Sequence, residues 1–319
     1  MILFIRKLFF VLLIGLIPFG ALDILISSEL KKSNSFALGD SFIWNEIYKG
    51  KINYDLLIYG SSRAWVHFNS MVLEENLGLS TYNLGMDGHN FWLQYLRHKA
   101  LLKYNMKPKV IILSVGIFSL NKRNDLYNLN QFLPFIFDLD IYKYTSTYEG
   151  FSLMDYTIPL YRYSGKQDVI KKAIYDYQQT DTERPYRIRG FRGMKRAWNQ
   201  DLEKAKSRLN HINVKNDKAS EDLMQQFLNE CNDLGIKVII VYSPEQVSGQ
   251  SFVENRDEVV NTYVKMAKRN GITFLDYSDD EMCYNKSLFY NSMHLNEKGA
   301  NIFTNKLIVD LKKLDLKIN

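Results

Sequence analysis

Between residues 53 and 278 the chain alternates short apolar runs with stretches at helical spacing. The apolar runs are NYDLLIYG (53–60), STYNLGMDG (80–88), KVIILSVGIF (109–118), GIKVIIVYSP (235–244) and ITFLDYS (272–278). Brief segments of this kind, rich in Val and Ile and followed by Gly, Ser or Pro, read as strands. Near-continuous apolarity within several of them means that both faces are covered, as in a parallel sheet. FWLQYLRHKALLKYN (91–105), SEDLMQQFLNECNDLG (220–235) and VENRDEVVNTYVKMAKRNG (253–271) read as helices, the last two closed by glycine. A final helix is expected over 296–313. Strand and helix in turn predict an α/β fold of three layers, α/β/α, around a mostly parallel sheet.

The alternation stops between about residues 121 and 220. This stretch is rich in Tyr and Phe and then basic in RPYRIRGFRGMKR. It reads as a mostly helical insertion over the carboxyl ends of the strands, forming a lid or substrate wall. Arg184, Arg187, Arg189, Arg192, Lys195 and Arg196 suit either a solvated face or a patch for an anionic glycan or membrane surface.

Ahead of the strands, LFFVLLIGLIPFGALDILISS (8–28) follows Arg6 and Lys7. Its length matches the roughly 20 apolar residues that span a bilayer as a helix. No A-x-A-like cleavage site is evident, so the expectation is an uncleaved, single-pass signal anchor with the body outside the cytoplasm. The implied organisation is an anchor over 1–29, a polar connector over 30–50, and an α/β domain over 51–319.

Composition excludes several classes. Of 319 residues, 46% are apolar and 24% charged, which argues against global disorder. A net charge of +6 without an arginine–aromatic RNA motif does not point to nucleic acid. Two cysteines, Cys231 and Cys283, cannot build a disulfide framework, and Cys231 reads as a core residue. There is no CxxC or HExxH, so neither a metal nor a cofactor is expected.

In doubly wound sheets, ligands gather beyond the carboxyl ends of the strands. Ser61 and Ser62 follow the first strand, Gly85 and Gly88 the second, Gly116 and Ser119 the third, and His294 precedes the final helix. A serine becomes a nucleophile when a base within hydrogen-bond reach takes its proton. His294 is the natural base. His67 and His89 flank the first two loops and read as packed or surface residues, although His89, next to Gly88, is also placed to line the cleft.

The order GSSR, NLGMDG and NSMHLNEKGA resembles the SGNH (GDSL-type) hydrolase superfamily, whose fold is flavodoxin-like. It looks most like the membrane-anchored branch that includes the D-alanine-transfer protein of teichoic acid and the alginate O-acetylation proteins. The resemblance covers roughly residues 52–313 apart from much of the insertion. It implies that Ser62 is the nucleophile, with Ser61 in place of the usual aspartate. It implies further that His294 is the base, and that the backbone N–H groups of Gly88 and Ser62 hold the oxyanion.

Two departures stand out. Phe118 occupies the place of the asparagine that usually donates to the oxyanion, with Ser119 or Asn121 as stand-ins. Asn291 occupies the place of the aspartate that orients the histidine; in a trypsin-type triad the same change lowers turnover about 10⁴-fold. Asn291 itself, Asp279 or Asp280, or a bare Ser–His dyad are the alternatives. Arg63 reads as a salt-bridge or substrate-facing group, and Glu245 and Gln246 as candidate substrate contacts. The resemblance implies an esterase or O-acyltransferase acting on acyl esters, chiefly acetyl, of cell-surface polysaccharide in the bacterial envelope. The alternative is a non-catalytic protein that binds glycan or a membrane-bound acyltransferase.

Overall fold

The computed structural model describes residues 2–88, 90–178, 185–314 and 316, with the side chains of residues 2, 5 and 8–14 excepted. His89 and Arg184 therefore lie outside the described residues. The chain divides into two compact units, residues 1–46 with 124–186, and residues 47–123 with 187–319. The expected insertion thus contributes residues 124–186 to the first unit and its remainder to the second.

The second unit is built on five parallel strands: β1 (Leu56–Tyr59), β2 (Thr81–Asn83), β3 (Val110–Val115), β4 (Lys237–Tyr242) and β5 (Thr273–Asp276). Their spatial order is β2-β1-β3-β4-β5. Leu56 pairs with both Thr81 and Val110, and Val110 pairs with Lys237. Every residue of β1 and β3 is buried, which explains why these strands read as near-continuous apolar runs. The helices Arg256–Asn270 and Lys218–Asp233 lie where expected, the first capped by Gly271 at φ +61°. The last helix, Glu297–Lys313, is capped by the Asn296 side chain, which accepts from the Gly299 N–H at 3.0 Å. It buries Ala300, Phe303, Leu307 and Leu311 in a core shared with Leu56, Ile58 and Ile112.

An order of 2-1-3-4-5 reverses direction between β1 and β3, and there the crevice for a ligand opens. Gly60 makes the exit from β1 feasible. Its φ is +147°, and a Cβ would stand 2.7 Å from the Ser114 carbonyl oxygen of the neighbouring strand. The chain then turns into the short helix Ser62–His67, so Ser62 opens a helix directly beyond the strand end.

The first unit begins with the helix Ile2–Lys32. Here the expected membrane span is corrected: among the described residues, no helix is long and apolar enough to cross a membrane. Its later turns are occupied with protein. Asp23 is buried, ion-pairs with Arg162 and accepts from the Leu160 N–H at 2.8 Å. Ser27 meets the Tyr163 hydroxyl at 2.8 Å, and Ile26 and Leu30 pack with Phe36, Leu133 and Val169. Residues 30–50, expected as a polar connector, carry the helix Asp40–Tyr48 with Ile43, Trp44 and Ile47 buried.

Candidate active site

Within the second unit, the loops after β1, β2 and β3 and the hairpin before the last helix converge on a cleft of about 340 Å³. Ser61, Ser62, Arg63, Gly88, Asn90, Phe118, Ser119, Asn121, Arg123 and Met293 contribute to its walls. The Ser62 Oγ lies 2.7 Å from the His294 Nε2. His294 sits on a tight hairpin, β6 (Phe289–Asn291) and β7 (His294–Leu295), in which Asn291 faces His294.

Asn291 is the residue that meets the far side of the imidazole. Its Oδ1 accepts from the backbone N–H groups of Met293 (3.1 Å) and His294 (2.9 Å), and lies 3.0 Å from the His294 Nδ1. Backbone N–H groups only donate, so the atom facing them is the amide oxygen. That oxygen in turn requires the proton on Nδ1, which leaves Nε2 bare to accept from the Ser62 hydroxyl. Asp280 does not take this place, because its carboxylate holds Lys306 at 2.8 and 2.9 Å and Asp279 is exposed.

The hairpin is fixed from several sides. Leu295 donates its N–H to the His67 Nε2 at 3.0 Å, and the His67 Nδ1 meets the Ser243 Oγ at 2.9 Å. Gln246 donates its N–H to the Ser292 carbonyl at 3.0 Å. The Tyr290 ring stacks on His294 with centroids 5.3 Å apart and planes 10° from parallel. His67, read as a packed or surface residue, thus supports the hairpin that carries His294.

Of the three candidate substrate contacts, Arg63 takes its salt-bridge reading, and Glu245 and Gln246 are engaged within the protein. Arg63 is buried, ion-pairs with Glu245, donates to the Ser243 carbonyl and hydroxyl oxygens, and lies 4.9 Å over the Tyr242 ring. The other Glu245 oxygen accepts from the Tyr242 hydroxyl at 2.8 Å. The Gln246 side chain caps a short helix by accepting from the Ser248 N–H. A guanidinium and a carboxylate this deeply desolvated need each other, so they tie the β1 and β4 loops together. Ser119 and Asn121 line the cleft, but the Ser119 Oγ accepts from the Gly116 N–H at 2.9 Å and the Asn121 amide donates to the Lys215 carbonyl. Phe118, 37% exposed, occupies the wall where an asparagine donor was missed. Gly88 lines the cleft in a turn at φ +67°.

The basic run is largely engaged. Arg187 is buried, donates to the Gly85 carbonyl at 2.8 Å and stacks over Trp65, while Arg189 pairs with Glu74. Asn90, Arg123, Met293 and Asp201 escaped the sequence reading. Asp201 lies 3.5 Å from the Asn291 Nδ2, and no local pattern links residues 90 positions apart.

Burial lowers the His294 basicity first, the nearby Arg63 charge lowers it further, and Asp201 opposes them; the pKa is pushed down to about 3. His67 is held well below the ordinary histidine range, mainly by burial, and His98 is pushed down to about 4 for the same reason. His67 and His98 are fully buried and neutral in the fold, whereas in the unfolded chain they gain protons near pH 6.5. Their contribution is therefore complete above that pH and is lost as pH falls. Each removes up to about 1.4 kcal/mol per pH unit below it. Urea midpoints should hold nearly level from about pH 7.5 to 6.5 and then fall progressively toward pH 5; a series flat to pH 5 contradicts the buried, neutral assignment.

No protein-family model and no curated protein matches the sequence. Ser62, His294 and the Gly88 turn nevertheless stand together at the switch point of a 2-1-3-4-5 sheet. These are the positions that the sequence resemblance singles out. Among solved structures, the chain is similar to an acetyl xylan esterase at a TM-score of 0.41 and 14% identity, covering 80% of this chain and 99% of that one. A Bacteroides fragilis protein assigned as an acylhydrolase matches at 0.39 and 12%, covering 86% and 95%. At these scores neither neighbour's activity transfers to the present chain.

Proposed function

We propose that the protein is a serine esterase or O-acyltransferase that cleaves acyl esters through Ser62 and His294. The observation that carries this reading is the 2.7 Å approach of the Ser62 Oγ to the unprotonated Nε2 of His294. Ser62 attacks the ester carbonyl while its proton passes to Nε2. The Asn291 oxygen holds Nδ1–H and so keeps the ring in register. The N–H groups of Gly88 and Ser62 face the developing oxyanion, each such donor typically contributing about 2.7–4 kcal/mol to lowering the barrier. Collapse returns the proton from Nε2 to the departing alkoxide and leaves acyl-Ser62, which passes to water or to a sugar hydroxyl.

Short acyl groups, chiefly acetyl, on carbohydrate are the proposed substrates. The polar side chains of Asn90, Asn121 and Arg123 around the Ser62 cleft suit a hydroxylated ligand, and Phe118 offers it a ring face. An envelope polysaccharide and an extracytoplasmic location follow from the resemblance, and cell fractionation tests the latter. Release of acetate from acetylated oligosaccharides, alongside p-nitrophenyl acetate, tests the activity; turnover of neither by folded protein counts against it.

A second reading has one observation in its favour. An amide in place of a carboxylate, beside a histidine of depressed basicity, also suits a non-catalytic glycan-binding or acyltransferase-accessory protein. Glycan binding that is indifferent to Ser62→Ala, without ester turnover, is its signature.

A further inference from the structure

The amide of Asn291 has two ends, and only one of them is used by His294. Its oxygen is surrounded by donors from Met293, His294 N–H and His294 Nδ1. Its nitrogen, which only donates, points to the Oδ2 of Asp201 at 3.5 Å. Both ends therefore dictate the same orientation. Asp201 is itself held in place. Its Oδ2 accepts from the Asn199 Nδ2 at 2.6 Å, its N–H donates to the Asn199 Oδ1 at 3.1 Å, and the Asn199 N–H donates to the Tyr290 carbonyl at 2.8 Å. Residues 199–201 are thereby docked on β6 next to Asn291. Asp201 also opens the helix Asp201–Lys206, where a carboxylate is favoured, and buried Leu202 anchors that helix. Asp201 and Asn291 line one recess of about 230 Å³.

We infer that Asp201 is a positioning residue of the site, acting on His294 through the Asn291 amide. In this arrangement the carboxylate missing from the histidine's side is displaced by one residue. It fixes the amide with oxygen toward the imidazole, polarises that oxygen, and supports the positive charge that His294 acquires as Ser62 attacks. The inference rests on the reading of Ser62 as nucleophile. The other groups facing His294 are Arg63 and His67 from the helix Ser62–His67 and the stacked Tyr290, which lies under Arg196; Glu245 accompanies Arg63.

The test compares Asp201→Asn and Asp201→Ala in the full chain, in wild-type and Asn291→Asp backgrounds. Turnover of p-nitrophenyl acetate is followed against pH, and the His294 ring is titrated by NMR. Because Asp201 is exposed, kcat/KM should fall only about two- to fivefold, and less in high salt. Asp201 raises the basicity of His294, so its removal should move the acid limb and the ring titration to lower pH. In the Asn291→Asp background a carboxylate faces the ring directly, and there the same substitution should cause no loss. An unmoved ring titration, or an equal loss in both backgrounds, overturns the inference. If wild type shows no Ser62-dependent turnover, the nucleophile reading fails instead, and the ring titration still decides the part played by Asp201.

Discussion

Replacing Ser62 by alanine lowers turnover of p-nitrophenyl acetate by at least about 10³-fold, and replacing His294 by alanine does nearly the same. The two losses do not add, because the hydroxyl and the imidazole form one proton-transfer unit across 2.7 Å. Neither substitution disturbs the support of the loops. Ser62 follows Gly60, whose close approach to β3 sets the turn. The backbone of the hairpin bearing His294 is held by His67 and Gln246, independently of the imidazole. Steady-state kinetics beside circular dichroism check this. A Ser62→Ala protein that retains wild-type turnover places the chemistry elsewhere.

Asn291→Asp should raise turnover by about 10- to 100-fold, well short of the roughly 10⁴-fold that separates aspartate from asparagine in a trypsin-type triad. The difference has a structural reason. Much of the trypsin-type loss comes from the wrong imidazole tautomer, whereas here two backbone N–H groups turn the amide oxygen toward His294, so the productive tautomer is already present. What the asparagine lacks is charge, and restoring it offsets the burial and the Arg63 field that depress the basicity of His294. The acid limb of the rate profile should rise toward the ordinary histidine range at the same time. Part of the gain is opposed by Asp201, which would then face a like charge at short range. Unchanged turnover with an unchanged acid limb would mean that the imidazole does not act as the base.

How much could be read from the chain follows from how local each signal is. β1, β3 and β4 were legible because strands covered on both faces carry an apolar residue at nearly every position. Ser62, Gly88 and His294 were legible because their loops carry distinctive residues at strand and helix ends. The pairing of Arg63 with Glu245 was not legible, since charged residues normally face water and their mutual burial joins positions 182 residues apart. The same holds at the N-terminus, where Asp23 interrupts an apolar run but its partner Arg162 comes 139 residues later. Asp201 lies beyond a tyrosine-rich and basic stretch with no strand pattern, so nothing nearby in sequence announced its approach to Asn291.

The central claim is that Ser62 is a nucleophile activated by His294, and a fluorophosphonate probe followed by peptide mapping tests it most directly. One phosphonate adduct on Ser62, absent in Ser62→Ala, greatly slowed in His294→Ala and faster in Asn291→Asp, is the predicted result. A folded protein that takes up no probe even as Asn291→Asp, or takes it up on another serine, contradicts it.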